Sequence, residues 1–171
     1  MMYKKEQLNI IVKDLCEYAL DREDVKWITD TVPESAGLDP DKLEYELQLL
    51  KIVTVGWSIS YYLQDNPVRE KVVEPFWHSI HEVSGSLSQA TSLFIGKNID
   101  YFKIIKSRLD NYVLAMSGAK GDNPASAIGP EFAKHLGDPD DLFSFMAGSK
   151  MFRAALGGVR QYLQTAGLIT A

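Results

Sequence analysis

The chain of 171 residues contains one cysteine, Cys16, which excludes an internal disulfide and agrees with a reducing compartment. No apolar run reaches the roughly 18 to 20 residues that a membrane-spanning helix requires. The lysines of residues 1–6 precede an amphipathic pattern rather than a continuous apolar segment, so no signal peptide is expected and a cytoplasmic location is. The net charge is -5, with lysine and arginine scattered along the chain, so no basic stripe is available to a nucleic-acid backbone. The sequence has no acidic tail, low-complexity segment or convincing repeat. It also lacks a Walker loop, a Gly-x-Gly-x-x-Gly turn opening a helix after a strand, a Gly-x-Ser-x-Gly elbow and a His-Glu-x-x-His helix. Catalysis is therefore not the leading expectation.

What is present is an ordinary balance of apolar residues (46%) and charged residues (24%), in a chain long enough for one domain with a substantial core. A single helical domain over residues 1–171 is expected, organised around residues 40–64. There Asp39-Pro40 supplies an N-cap and a first-turn proline, and Leu43, Leu47, Leu50, Val53 and Trp57 recur at helical steps. Residues 52–63 carry no charge, which predicts a helix buried on all sides. Val53, Val55, Trp57, Ile59 and Tyr61 also alternate with small or polar residues, the period of a strand. A strand here would follow a helix with no turn residue between and would need a partner, so the helix is preferred.

The remaining chain reads as an all-α bundle of about six or seven helices. Residues 3–20 form an amphipathic helix that puts Cys16 on the core face as an inert thiol. Residues 21–38 read as a long connection, with Val25, Trp27 and Ile28 docking a short helical turn. Asn66-Pro67 predicts the start of a helix over residues 68–94 that Pro75 must kink or divide, with Val83 and Leu87 among its inward residues and Gly96 ending it. Asn98 caps a helix to about Met116, with Val113 facing inward. Residues 117–128 read as a mobile loop by composition. Residues 130–136 form a short helix closed by Gly137, Asp138-Pro139 opens another, and the last helix begins near Ser149. Ala154, Ala155, Gly157 and Gly158 in that helix allow close backbone approach, which points to a homodimer.

Two groups of residues carry candidate chemistry. Rotation of about 100° per residue lets Glu74, His78, His81 and Glu82 share one helix face, and Glu131 and His135 form a second carboxylate-imidazole step. Helical bundles build iron, manganese or zinc sites from such side chains on facing helices. The di-iron carboxylate pattern, a Glu-to-His step of three residues used twice, is absent. No cofactor is expected unless the two groups converge.

The run His81-Glu82-Val83-Ser84-Gly85-Ser86-Leu87 resembles the phosphoacceptor box of two-component histidine kinases, a His-Glu pair with a leucine six residues on. The resemblance covers about seven residues and lacks the family's basic, asparagine and proline positions, and no nucleotide-binding box follows. It implies at most a phosphotransfer protein with His81 as acceptor, oriented by Glu82. The favoured expectation is a soluble, non-catalytic binding or scaffolding module, with a protein partner or a second copy of itself.

Overall fold

The computed structural model describes residues 2–119, 123 and 125–171. Among them the chain forms seven α-helices and one 3-10 turn, and no strand: α1 (Lys5–Leu20), α2 (Glu23–Thr31), the turn Glu34–Ala36, α3 (Pro40–Tyr62), α4 (Arg69–Ile95), α5 (Tyr101–Gly118), α6 (Ala125–His135) and α7 (Leu142–Thr165). The fold is an all-α bundle. No helix of the described residues is long and apolar enough to cross a membrane.

Helix α3 is the axis. The Asp39 side chain accepts from the Asp41 amide at 3.0 Å, and Pro40 occupies the first turn, where its missing N–H costs nothing. Residues 49–56 are buried without interruption, and α3 packs against all six other α-helices. A segment covered on every side has no polar face to display, which is why its β-branched residues alternate without forming a strand. Among the polar side chains that enter this region, the Ser58 hydroxyl turns back to donate to the Thr54 carbonyl at 2.6 Å, while the buried Thr54 hydroxyl has no hydrogen-bond partner among the described residues. At Gly56 any Cβ would overlap the Trp77 indole, so glycine here sets how closely α3 and α4 approach.

Several boundaries differ from the sequence pattern, each for a local reason. Residues 23–31 form a full helix rather than a docked turn, with Val25 and Ile28 buried and Trp27 exposed. Asn66 does not cap α4 at Pro67. Its side-chain Oδ1 accepts from the Val68 amide at 2.9 Å and its side-chain Nδ2 donates to the Leu168 carbonyl at 2.8 Å, so α4 starts at Arg69. Pro75 lies inside α4 without dividing it. Val83 and Leu87 are exposed, because they lie in the second half of that long helix, while Val72, Phe76 and Ile80 carry its buried face.

Gly96 does end α4, in the left-handed conformation at φ 68°. The cap of α5 is Asp100, accepting from the Lys103 amide at 3.1 Å, in place of Asn98, and Val113 faces outward. Helix α6 starts at Ala125 and runs through Pro130. Of the loop expected over residues 117–128, residues 120–122 and 124 lie outside the described set. Helix α7 starts at Leu142, well before Ser149, because Asp141 accepts from both the amide (2.8 Å) and the hydroxyl (2.6 Å) of Ser144.

Candidate functional site

The regular helix through Pro75 puts Glu74, His78, His81 and Glu82 on the surface of α4, all exposed. His78 Nε2 and Glu82 Oε1 are 3.2 Å apart, with the two side chains 72% and 68% exposed. Glu82 thus pairs with His78. His81 instead sets its ring edge-on to Phe102, with centroids 4.6 Å apart, and lines an open hollow with Ser88, Asn98 and Asp100.

The second pair lies elsewhere. His135 Nε2 and Glu131 Oε1 are 3.5 Å apart on α6, and the His135 ring meets Tyr112 at 5.5 Å. Phe102 and Tyr112, the partners of His81 and His135, are separated by about 15 Å along α5 at the helical rise of roughly 1.5 Å per residue. Each pair alone offers two ligands, fewer than the three or four protein ligands of ordinary zinc sites. Among the described residues, no group of three or more His, Cys, Asp or Glu stands together to hold an ion. Cys16 is buried, its thiol directed at the Phe76 carbonyl 3.8 Å away, and burial pushes its pKa up.

A buried polar cluster that the motif pattern does not point to joins α3 and α5. Glu46, on the buried side of α3 at 3% exposure, accepts two hydrogen bonds from Arg108 of α5: Nε to Oε2 at 3.0 Å and Nη2 to Oε1 at 2.7 Å. The bidentate hydrogen bond raises the already high Arg108 pKa, against the opposing effect of burial. Tyr112, one turn along α5, is 2% exposed, and its hydroxyl has no hydrogen-bond partner among the described residues. Burial first, then the Glu46 carboxylate, holds its pKa well above the ordinary value. His135 completes the cluster, its Nε2 also without a hydrogen bond; burial and the Arg108 charge push its pKa down.

The signal for this cluster was in the spacing. Glu46 sits three residues after Leu43 and four before Leu50, on the apolar stripe, and Arg108 stands between Ile105 and Tyr112 on another. With its carboxylate occupied by Arg108 and covered from solvent, this cluster joins α3, α5 and α6 and is out of reach of a solute.

A second polar centre ties α3 to α1 and α2. Lys51 is 1% exposed; its ammonium donates to the Asp21 carbonyl at 2.9 Å, lies 3.5 Å from Asp24 Oδ2 and stands 4.5 Å from the Tyr18 ring centroid. Burial lowers the Lys51 pKa, and burial together with Asp24 raises that of Tyr18 to about 12. The small residues of α7 serve this region. Ala155 is in the core, the Ala154 carbonyl accepts from the Tyr18 hydroxyl at 3.2 Å, and a Cβ at Gly158 would overlap that hydroxyl. Only Gly157 of the four faces open space.

No family model matches this chain, and no curated protein or solved structure matches it either.

Proposed function

We propose that the chain is a non-catalytic helical binding module that pairs with a second copy of itself through the outer face of α7. One observation carries this reading: Leu142, Phe143 and Met146 occupy consecutive turns at the start of α7 and all three are exposed, Leu142 at 65%. Met146 lies four residues after Leu142 and three after Phe143, which puts the three on one side of the helix. Arg153 and Gly157 continue that side, also exposed, and Gly157 leaves room for a close neighbour.

The charges favour a second copy as occupant. Asp138 and Asp140, exposed, lie just before α7, and Arg153 lies beyond the apolar turns, with Lys150 half-buried beside it. Two α7 helices related by a twofold axis near Met146 run antiparallel, so the acidic end of each meets the basic turn of the other. An isologous interface of this kind uses one patch twice.

Light scattering across micromolar concentrations tests the reading. A dimer is expected for the wild type and a monomer for the double variant Leu142→Glu/Met146→Glu with an unchanged circular dichroism spectrum. A wild type that is strictly monomeric overturns the second copy as occupant.

A phosphotransfer role for His81 is the second reading, favoured by the exposure of its ring at an open hollow. It requires a response-regulator phosphodonor to label the wild type and not His81→Ala. Glu82, held by His78, is not the residue that orients it.

A further inference from the structure

Helix α1 packs along α3 and α4 rather than along α7, and two tyrosines bridge the gap to α7. Tyr18 reaches across from α1 to the Ala154 carbonyl and is seated over Gly158. Tyr162 reaches back from α7, its hydroxyl donating to Asp14 Oδ2 at 2.6 Å. Between the bridges lies a groove of about 390 Å³, within the range of small-molecule sites, with Leu15 as its floor and Gln161 on its exposed rim.

We propose that this groove binds a small arylalkylamine, with the ammonium on Asp14 and the ring over Leu15 beside the two tyrosines. Among the described residues, Asp14 is the only formally charged side chain lining the space. Among the described residues its Oδ1 has no hydrogen-bond partner, while Oδ2 is held by Tyr162, so the carboxylate is oriented with one acceptor free. A carboxylate takes an ammonium through charge-assisted hydrogen bonds roughly twice as strong as neutral ones and repels an anion. Tyrosine faces add attraction for a cation, as Tyr18 already shows toward Lys51. The Lys51 charge does not cancel that of Asp14, since Asp24 stands 3.5 Å from its ammonium. The remaining lining is largely apolar, which suits a ring rather than a second polar group. The groove is made within one chain and does not depend on α7 pairing.

Calorimetric titration of 2-phenylethylamine into the full chain at neutral pH, beside 2-phenylethanol and phenylacetate, tests the assignment. Saturable binding of the amine is expected, at least about tenfold tighter than that of the alcohol or the acid. Asp14→Asn keeps an acceptor for the Tyr162 hydroxyl and removes the charge, and it is expected to weaken amine binding at least about tenfold. Gln161→Trp, a rim substitution that leaves the bridges in place, is expected to block the groove and decides the matter if Asp14→Asn fails to fold. No saturable amine binding, equal binding of the alcohol, or amine binding that the folded variants leave unchanged overturns the proposal.

Discussion

Arg108 grips Glu46 with two nitrogens, at 3.0 and 2.7 Å, across the interface of α3 and α5, and the carboxylate it holds is almost wholly removed from water. Neither charge is worth much without the other. Arg108→Met leaves Glu46 buried and unpaired, and a loss of about 3 to 5 kcal/mol in stability is expected. The double variant Glu46→Leu/Arg108→Met is expected to recover most of that loss, since a well-packed apolar pair replaces a desolvated ionic one. Urea denaturation of the wild type, both single variants and the double variant checks this. A double variant no more stable than Arg108→Met would contradict it.

The neighbouring His135 makes stability pH-dependent. Its folded pKa lies below the ordinary 6.5, because burial and Arg108 disfavour the imidazolium. The unfolded chain therefore binds a proton more readily than the folded one. The contribution is fully present above the unfolded pKa of about 6.5 and is lost as pH falls from there through the folded value. Between pH 7.5 and pH 5.5 the wild type is expected to lose more stability than His135→Gln, measured by melting at each pH. Equal losses would mean that the imidazole is not the group responsible.

Two glycines in helices are expected to respond with opposite signs. A Cβ at Gly56 overlaps the Trp77 ring, so Gly56→Ala forces α3 and α4 apart and is expected to cost about 1 to 3 kcal/mol. At Gly85 nothing stands within 4 Å, and Gly85→Ala is expected to stabilise α4 by about 0.5 to 1 kcal/mol through backbone entropy alone. Thermal melts of the two variants give the comparison.

The buried Tyr112 hydroxyl gives a further test. Removing a polar group that has no partner among the described residues removes a desolvation cost, so Tyr112→Phe is expected to match or exceed the wild type in stability. A loss of more than about 1 kcal/mol would instead reveal a hydrogen bond, such as one to an internal water.

Patterns of burial were legible in the sequence, and points of competition between equivalent signals were not. The apolar steps from Leu43 to Trp57 and the Asp39-Pro40 start define α3, and α3 organises the bundle. At the starts of α5 and α7 the sequence pattern points to Asn98 and Asp138, while the caps in use are the nearby Asp100 and Asp141. The one nearer the helical stripe won because its side chain reaches the free amides of the first turn. Val25 and Ile28 carried the signal of α2, but with so few residues around them they read equally well as a turn.

The candidate chemistry was harder to place. Glu131 and His135 do meet, as do His78 and Glu82, because a four-residue step is local and survives folding. Whether two such steps face one another depends on which helices become neighbours, and that is set by the whole core. Glu46 and Arg108 had the opposite history: each sat on an apolar stripe, where a charge is a conflict, and the structure resolves the two conflicts against each other.

The contact of α3 with every other helix also bears on how the molecule opens. Residues 49–56 are buried throughout, in a helix that contacts each of the other six, so fraying of a single peripheral helix is not expected to expose their amides. Deuterium should enter those positions only through global opening, at a free energy equal to that of complete unfolding, while the ends of α4 and α5 exchange through smaller excursions. The helix that holds the bundle together thereby makes its deepest hydrogen bonds a direct gauge of the stability of the whole.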